Sequence, residues 1–421
     1  MRDSMTLLFV NQHYYPDVAA TGQKLTDLAE YLAARGHAVH ILCSRGKYLA
    51  GALDAPARET RNGVHIRRTG RTSHGRSTHL RRLLDYAGFY ARVLLHLLFG
   101  RRYDRVILLT TPPLLGVAGG LARRLRGQEY AIWSMDLHPD AEEALGMAPA
   151  GHPVTRLLHA LNDFGYRNAA FVAALGPFMR ARILARGVAP ERVAILPMWD
   201  RKEAIYPVPP DENPLFDRFD LRDRCVVMYS GNAGLAHRFD EVLEAMLALR
   251  DHPDLYFLFA GDGPRKQDII AFAERHRIRN FSYVDYVPRE ALVYSLNLAD
   301  VHLLTLRREM AGIAVPCKLY GSMAAGKPTL MVGPEASEPA QAILDAGAGI
   351  VIDPDRAGGR TVDELIQALL ALAERNDLRT AYGLRGREAF LAAFEMDVVC
   401  EAWARCLEGR VPAPETAVTA A

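Results

Sequence analysis

A lysine stands where a short helix is expected to begin in the segment VPCKLYGSMAAGKPTLMVG, residues 315–333. Pro316 suits the first turn of a helix, and Gly326 followed by Pro328 suits its end. Lys318 at the helix start is unfavourable for the helix dipole unless an anion lies beside it. Free backbone N–H groups and the Lys318 ammonium would then bind the same phosphate. A lysine that faces solvent at a loop edge is an equally good interpretation of this residue alone.

A glycine turn separates a predicted strand from a predicted helix in YSGNAGLAHRFDEVLEAM, residues 229–246. Glycine lets the backbone approach a diphosphate closely. His237 and Arg238, at the start of the predicted helix, are candidate phosphate contacts. A Gly-Asp-Gly turn in LFAGDGPRK, residues 258–266, ends another strand. A GxGxxG fingerprint is absent, so a nicotinamide dinucleotide is not indicated. Such a glycine turn is also common as a tight connection without a ligand.

Polar residues also follow two predicted strands in the amino-terminal half. Gly22 lies near a helix start after the loop NQHYYPDVAAT, which suits an acceptor or the transferred sugar. Asp136, His138 and Asp140 end the strand in IWSMDLHPDAEEALG. Carboxylates at strand ends are candidates for proton transfer or for stabilising a cationic sugar transition state. The alternative is that they cap the following helix, which fits Asp140 better than Asp136.

Short apolar runs and amphipathic stretches alternate along the chain. In the first half the predicted strands are Leu7–Asn11, Ala38–Cys43, Arg105–Thr110 and Tyr130–Met135, and the predicted helices are Gly22–Ala34 and Leu115–Arg126. In the second half the predicted strands are 226–231, 255–261, 281–287, 301–306, 328–333 and 349–354. Near-continuous apolar strands joined by helices indicate parallel sheets covered on both faces. The predicted fold class is therefore α/β, with two Rossmann-like, doubly wound domains facing a cleft that receives the ligands.

The predicted domain boundaries follow from an interruption of this alternation. Residues 1–200 form an N-terminal Rossmann-like domain, and the Pro- and Asp-rich segment 201–223 is the candidate linker. Residues 224–390 form a C-terminal Rossmann-like domain. A C-terminal helix, 391–408, is expected to pack on the N-terminal domain, and 409–421 to form a disordered tail.

The composition of the 421 residues indicates a globular protein. Half of the residues are hydrophobic and 24% are charged, and a net charge of only +2 gives no reason to expect nucleic acid. Five scattered cysteines without metal-ligand spacing indicate a reducing compartment and no structural zinc. The first apolar run is too short for a signal peptide, and no apolar stretch is long enough to span a bilayer. We therefore expect a cytoplasmic protein with at most peripheral membrane contact.

The stretch RRTGRTSHGRSTHLRRLLDYAGFYARVLLHLLFGRR, residues 67–102, carries one acid, Asp85. Its later part is predicted to be an apolar helix with arginines at both ends. A basic loop beside an apolar helix can lie at the surface of an anionic membrane, which would suit a lipid-linked acceptor. The alternative is a buried helix flanked by solvated arginines. Nucleic acid fits less well, because the aromatic residues are not interleaved with the basic loop.

These segments together resemble the family 4 retaining glycosyltransferases of the GT-B fold, in particular the branch of colanic-acid and O-antigen biosynthesis. The segments that carry the resemblance run in order through both halves: YYPDVAATGQKLTDLAEYLAARGHAV, MDLHPD, YSGNAGLAH, AGDGP, PCKLYGSMAAGKP and SEPAQAILDAGAGIVI. The resemblance implies transfer, without a metal or other cofactor, of a sugar from a nucleotide diphosphate sugar. The transfer retains the anomeric configuration of the sugar. The implied acceptor is a lipid-linked molecule or a polysaccharide of the cell surface.

The resemblance also assigns roles to residues of this chain. The donor is expected to bind mainly to the C-terminal domain, with the diphosphate near Gly231, Asn232 and Lys318. The base would meet the backbone around Tyr286 and Val287. The remaining expected donor contacts are Gly22, His237, Glu309, Tyr320 and Glu338, and the expected catalytic residue is Asp136. The Asp-x-Asp sequence at 353–355 is typical of a turn rather than of a metal motif.

The chain departs from the wider family at several positions. Gly321 and Ile313 stand where that family has two glutamates, and Glu309 is the nearest acid that could serve the sugar instead. Asn232 stands near the place of the family's phosphate-binding arginine, and His237 or Arg238 near that of its lysine. The branch usually has Trp or Tyr at the place of His138.

Two alternative functions stay open from the sequence. A nucleotide-sugar 2-epimerase could share this architecture but would need another acid–base carboxylate near the donor. A non-catalytic nucleotide-sugar-binding subunit would fit the missing glutamates. Donor turnover that requires an acceptor would separate a transferase from both. The identity of the sugar, the nucleotide and the acceptor does not follow from the sequence.

Overall fold

A computed structural model describes residues 4–17, 19–45, 55–70 and 79–410, with the side chains of 79–84 left out. The chain divides into two compact units. Unit 1 contains residues up to Pro197, the short segment Gly312–Ala314 and the carboxyl-terminal residues from Val399. Unit 2 contains Met198–Ala311 and Val315–Val398.

The described part of unit 1 contains an eight-stranded sheet. Its strands are β1 (Thr6–Val10), β2 (Ala38–Ser44), β3 (Arg58–Arg61), β4 (Val64–Thr69), β5 (Arg105–Leu109), β6 (Tyr130–Trp133), β7 (Phe171–Ala174) and β8 (Val193–Ile195). The order across the sheet is β3-β4-β2-β1-β5-β6-β7-β8, and within these residues β3 alone runs antiparallel to its neighbour. The central strands are almost entirely apolar and buried, as expected when helices cover both faces of a parallel sheet.

The helices of unit 1 follow their strands in the βα order. They are α1 (Ala20–Ala34), α2 (His79–Phe99), α3 (Leu115–Arg126), α4 (Asp140–Ala144), α5 (Pro153–Asn168) and α6 (Pro177–Ala185). Small residues allow close packing, since a Cβ at Gly116 would lie 3.2 Å from the Cα of Gly165. The last helix of the chain also contributes, because the ring of Trp403 lies 4.7 Å from that of Trp133. This aromatic contact joins the carboxyl terminus to the core of unit 1.

The described residues of unit 2 form a six-stranded parallel sheet. Its strands are β9 (Cys225–Ser230), β10 (Leu255–Ala260), β11 (Phe281–Val284), β12 (Val301–Thr305), β13 (Thr329–Val332) and β14 (Gly349–Ile352), in the order β11-β10-β9-β12-β13-β14. The helices are α7 (Leu215–Phe219), α8 (Asp240–Ala248), α9 (Lys266–Arg275), α10 (Leu292–Leu296), α11 (Lys318–Ala324), α12 (Glu338–Ala346), α13 (Pro354–Ala357), α14 (Thr361–Glu374) and α15 (Asn376–Ala389). The chain then passes through a π-helical turn, Phe390–Phe394, into α16 (Met396–Leu407).

The α/β fold class and the parallel sheets predicted from the sequence are confirmed. The strand positions agree to within a few residues, and the predicted helix Leu115–Arg126 has the observed bounds of α3. Strands β3, β4, β7 and β8 were not predicted. Three of them, β3, β7 and β8, are only three or four residues long, too short to display a periodicity.

The segment 201–223, predicted as a linker, belongs to unit 2 in the structure. It contains α7, and its residues Phe216 and Leu221 are buried in a cluster with Val226 and Met228. Isolated apolar residues in a segment rich in Pro and Asp have no repeat to reveal their burial. Residues 411–421 of the predicted tail lie outside the described residues.

The basic stretch 67–102 differs in part from its predicted loop and helix. Arg67 and Arg68 belong to strand β4, and Arg68 is buried in an ion pair with Glu59 at 2.5 Å. Residues 71–78 lie outside the described residues, and the predicted helix is α2. Within the described parts of the chain, no helix is both long enough and apolar enough to cross a bilayer.

Candidate active site

Each sheet has one place where the strand order reverses direction. In unit 1 this switch point lies between β1 and β5, and in unit 2 it lies between β9 and β12. Loops that leave adjacent strands in opposite directions leave a crevice at the carboxyl ends, which is where ligands bind in open α/β sheets. The sequence-predicted site residues are therefore best described at these two places in turn.

Lys318 lies at the switch point of unit 2. Its Nζ donates to the main-chain oxygen of Asn232 at 3.1 Å, to Nε2 of His237 at 3.0 Å and to the hydroxyl of Tyr229. The ammonium also lies 3.9 Å from the centroid of the Tyr229 ring, a cation–π contact. Tyr229 is the next-to-last residue of β9, so the end of that strand, the following glycine turn and the start of α11 meet at one ammonium.

His237 has a defined tautomer in this arrangement. Its Nδ1 donates to the main-chain oxygen of Thr305, the last residue of β12, at 2.5 Å. Nε2 is therefore the unprotonated nitrogen and accepts from Lys318. Burial and the nearby charge of Lys318 lower the pKa of His237 to about 3. A neutral imidazole thus bridges the strand end and the lysine.

The contacts of Lys318 are all with neutral groups. Burial lowers the pKa of Lys318 to about 7, well below its usual range. Among the residues that the structure describes, no carboxylate forms an ion pair with this ammonium. A lysine withdrawn from water is normally stabilised by an acid, so the partly buried Lys318, held only by dipoles, is suited to an anionic ligand.

The loops around Lys318 approach one another at backbone distance. Gly231 has φ +128°, and a Cβ there would lie 2.6 Å from Cε of Lys318. Gly261 has φ +138°, and a Cβ there would lie 2.2 Å from the main-chain oxygen of Gly231. Gly263, at the same φ, would collide with the oxygen of Ala233 at 2.6 Å. Only glycine fits at these positions, so both predicted turns belong to the same site.

The predicted base and sugar contacts follow strands of the same sheet. Tyr286 and Val287 follow β11, and the Tyr286 side chain is 57% exposed. Glu309 lies in an exposed turn after β12. Arg238, a candidate phosphate contact, forms an ion pair with Glu241 instead, and this contact raises its pKa despite its partial burial. These positions stay predictions.

Tyr320 and Glu338 form a second, buried group in unit 2. Tyr320 is 3% exposed and packs its ring 5.0 Å from Phe394. Burial and the charge of Glu338 raise the pKa of Tyr320. Glu338 is the first residue of α12 and is itself 6% exposed. The structure therefore places these two expected donor contacts in the interior of unit 2.

In unit 1, Gly22 packs against the loop after β1. A Cβ at Gly22 would lie 3.2 Å from the carbonyl of His13, so the helix and the loop touch through backbone atoms. Within that loop His13 Nδ1 and Asp17 Oδ2 are 2.8 Å apart, and Asn11 Nδ2 donates to the oxygen of His13 at 2.7 Å. The sequence prediction passed over this buried pair, although the HYYPD segment places both residues four positions apart.

Asp136 lies at the carboxyl end of β6, as predicted. The hydroxyl oxygen of Thr110, which follows β5, accepts from the main-chain nitrogens of Met135 at 3.1 Å and Asp136 at 3.2 Å. Burial raises the pKa of Asp136, against the opposing charge of His138. His138 Nδ1 contacts Glu142 at 2.8 Å; burial opposes protonation of His138, but this contact and nearby carboxylates raise its pKa overall.

Asp140 is an internal ion-pair partner and does not cap a helix. It is the first residue of α4, where no side chain caps the amino terminus, and its carboxylate pairs with Arg186. Arg186 also binds Asp163 at 3.0 Å. The helix-capping alternative for Asp140 is therefore wrong, because a partner 46 positions away holds its carboxylate.

Both halves of the chain match families of known proteins. Residues 20–199 match the family described as "Glycosyl transferase 4-like domain". Residues 216–388 match the family described as "Glycosyl transferases group 1". The chain is a group 1 glycosyltransferase. The transferase is 26% identical over 407 residues to WcaI of Escherichia coli (strain K12), named as a colanic acid biosynthesis glycosyl transferase, covering 94% of this chain and all of WcaI.

Solved structures share the fold of this glycosyltransferase. WaaG, described as a glycosyltransferase involved in lipopolysaccharide biosynthesis, has a TM-score of 0.69 at 20% identity and covers 96% of this chain and all of its own. HepE of Anabaena, solved in complex with UDP-glucose, has a TM-score of 0.70 at 15% identity, with the same coverage. The two α/β units are thus those of a GT-B glycosyltransferase, and the resemblance named from the sequence is confirmed.

Proposed function

We propose that this glycosyltransferase moves a sugar from a nucleotide diphosphate sugar to a lipid-linked or polysaccharide acceptor, with retention at the anomeric carbon. The observation that carries the donor assignment is Lys318, whose ammonium contacts a phenol, a carbonyl and a neutral imidazole. A diphosphate would supply the anion that these neutral partners do not. The UDP-glucose bound to HepE, a protein of the same fold, supports this donor class.

Transfer breaks the bond between the anomeric carbon and the diphosphate oxygen and forms a bond between that carbon and the acceptor oxygen. Negative charge develops on the leaving diphosphate, and the Lys318 ammonium stabilises it. The glycine turns at 231–234 and 261–263 let backbone N–H groups come close to the same oxygens. The acceptor proton passes to the leaving phosphate, so no separate acid is required.

Asp136 is proposed to orient the acceptor or the transferred sugar. The main-chain nitrogens of Met135 and Asp136 both donate to the hydroxyl of Thr110. The backbone position of Asp136 is therefore set by the residue after β5 as well as by β6. Gly22 is proposed to approach the donor from unit 1. Glu309, Tyr286 and Val287 keep their proposed sugar and base roles, because all follow strand ends on the edge that carries Lys318.

A transfer assay with a matched pair of lysine variants tests this proposal. A panel of nucleotide diphosphate sugars is first screened by thermal shift, since a ligand that binds only the native state raises Tm. Release of nucleoside diphosphate from the best donor is then measured with and without a lipid extract. Lys318→Met is expected to weaken donor binding by about a hundredfold, because it removes a charge-assisted contact that contributes about 3 kcal/mol.

Lys327→Met is the control. Lys327 lies just beyond the other end of α11, is partly buried and has a lowered pKa caused by burial, so it matches Lys318 in environment. Its substitution is expected to leave donor affinity unchanged. Equal donor affinity in Lys318→Met and the wild type would refute the phosphate assignment. Tight donor binding without transfer to any extract would favour the non-catalytic subunit. Donor turnover without an acceptor would favour the epimerase, a function that the known relatives do not support.

The proposed cytoplasmic, peripheral membrane contact uses exposed apolar side chains on α2 and α3. Phe99 is 79% exposed and Leu125 69% exposed, and Leu95 and Leu121 are exposed nearby on the same two helices. The helices are joined by Arg126, whose Nη1 donates to the oxygens of Leu97 and Gly100 at 3.0 Å. Exposed arginines of the same region include Arg92, Arg101, Arg102 and Arg124. Apolar side chains among arginines suit an anionic membrane.

Vesicle sedimentation tests this surface. A Leu95→Ser and Phe99→Ser double variant is expected to sediment with phosphatidylglycerol-containing vesicles about tenfold less than the wild type, because two inserted side chains are lost. Leu384→Ser, at a 60% exposed leucine of unit 2, is the control and should sediment normally. Equal loss in both variants would contradict the assignment of the surface to α2.

A further inference from the structure

A cavity lies in unit 1, away from the ends of the strands that carry the candidate active site. Its volume is about 450 Å³, and it is bounded by strands β2, β3 and β4 and by the carboxyl-terminal end of α2. Three consecutive residues from each of these strands line it, at 40–42, 58–60 and 65–67. We name it the histidine pocket and define it by His40, His65, His96, Arg58, Arg67 and Arg101.

The charge of the histidine pocket is one-sided. Among the described residues, no carboxylate forms an ion pair with Arg58, Arg67 or Arg101. Glu59 also lines the cavity, but its carboxylate is paired with Arg68, which donates in addition to the oxygen of Tyr15 at 2.7 Å. Three arginines that share a cavity repel one another, and the remaining acid is already neutralised.

The histidines are linked to one another and to Tyr103 rather than to acids. Arg67 Nη1 donates to Nδ1 of His96 at 3.4 Å, and Nε2 of His96 then donates to the Tyr103 hydroxyl at 2.9 Å. The rings of His40 and His65 stack at 4.9 Å. Arg101 lies over the Tyr103 ring at 5.0 Å. These contacts hold the hydrogen-bond donors on β2, β4 and α2 around one cavity.

The pKa values of His40 and His96 are lowered first by burial and then by the neighbouring positive charges. Burial and the charges of Arg101, His65 and His96 lower the pKa of His40 to about 4. Burial, Arg67 and Arg101 lower the pKa of His96. An anion in the cavity would offset these charges. Titratable side chains that share a cavity, have perturbed pKa values and do not form ion pairs with one another are typical of a binding site.

We propose that the histidine pocket binds a phosphate group, presented by a phospholipid headgroup or by a soluble phosphate compound. Planar guanidinium groups are the preferred protein ligands of phosphate, and three of them line the cavity. The exposed side chains of Leu95 and Phe99 flank His96 on α2, so a headgroup in the pocket would have its acyl chains beside apolar residues. This inference concerns a face of unit 1 and does not depend on the transfer reaction.

Two probes distinguish the two sources of phosphate. Inorganic phosphate is titrated calorimetrically into the full chain at constant ionic strength, with chloride as the reference anion. Vesicles of phosphatidylcholine and phosphatidylglycerol are used for sedimentation, with and without inorganic phosphate as competitor. An Arg67→Gln and Arg101→Gln double variant is expected to lose at least about tenfold in affinity, because two charge-assisted contacts are removed.

An Arg156→Gln and Arg289→Gln double variant is the matched control, since both are exposed arginines outside the pocket. It should bind as the wild type does. Phosphate binding that the pocket variant loses, without vesicle binding, identifies a soluble phosphate ligand. Vesicle binding that the pocket variant loses and phosphate displaces identifies a headgroup. The proposal is overturned if neither probe binds better than chloride, or if the pocket variant and its control behave alike.

Discussion

The switch points of the two units are built in different ways. In unit 1 polar side chains pair with one another: His13 with Asp17, and His138 with Glu142. In unit 2 a single ammonium, that of Lys318, is surrounded by neutral acceptors and by backbone. The first arrangement is complete without a ligand. The second leaves a positive charge for a ligand to neutralise.

This difference is the basis of the proposed division of work between the two units. A site for a diphosphate needs a cation whose charge is not already used, which the switch point of unit 2 supplies. A site for neutral sugar or acceptor hydroxyls needs oriented hydrogen-bonding groups, which in this proposal the paired side chains of unit 1 would supply. Four predictions follow from the comparison, and the largest expected effect comes first.

Gly261→Ala tests whether the site of unit 2 depends on backbone contact. The new Cβ would lie 2.2 Å from the oxygen of Gly231 at a φ of +138°, so the free energy of unfolding should fall by about 2–4 kcal/mol. Denaturant unfolding measures this change. Gly359→Ala, where a Cβ meets nothing within 4 Å, is the control and should change stability by less than about 1 kcal/mol. Similar losses in both would mean that the turns are not tightly packed.

The pH dependence of donor binding tests the free charge of Lys318. Because its pKa is lowered to about 7, the lysine is charged below pH 7 and loses its proton above it. A diphosphate favours the charged form, so donor affinity should fall by up to about tenfold per pH unit above pH 7 and level off below it. Calorimetry with an intact nucleotide diphosphate sugar from pH 6 to 8.5 measures this profile. The arginine of Lys318→Arg stays charged over this range, so the donor affinity of this variant should not change with pH. A donor affinity that still falls above pH 7 would assign the titration to another group.

Thr110→Val tests the side-chain construction of unit 1. Loss of the hydroxyl removes the acceptor for the main-chain nitrogens of Met135 and Asp136, which should cost about 1–2 kcal/mol of stability. Transfer should fall because Asp136 is no longer held in place, while donor affinity stays at the wild-type value. Thr361→Val removes one hydroxyl contact, to Gly358, and serves as the control with normal transfer. A fall in donor affinity in Thr110→Val would break the proposed division between the units.

Asp136→Asn should have the smallest effect on stability and a clear one on transfer. Burial raises the pKa of Asp136, so the native state binds its proton more tightly than the unfolded state does. That contribution to stability is lost as the pH rises through the native pKa. Relative to the wild type, the asparagine variant should therefore be more stable at pH 7 than at pH 4, measured by denaturant unfolding of both proteins. Full transfer activity in this variant would remove Asp136 from the site.

The sequence by itself determined the local elements of the molecule. Each central strand is a short apolar run, and the predicted start of α11 at Lys318 is the observed one. The glycine turns were also predictable, because their function depends on the absence of a side chain at a defined position. Such features depend on neighbours in the chain, so a single sequence contains them.

Only the tertiary structure decided which groups meet. Tyr229 lies 89 positions before Lys318, and His237 lies 81 positions before it, so no local pattern relates them. The lowered pKa of Lys318 likewise arises from burial, which depends on the whole unit. Arg68 looked like part of a basic surface loop, yet the pairing of β3 with β4 buries it against Glu59. Local residue order sets the strands and helices, whereas charge, burial and pairing across a sheet arise when distant segments pack together.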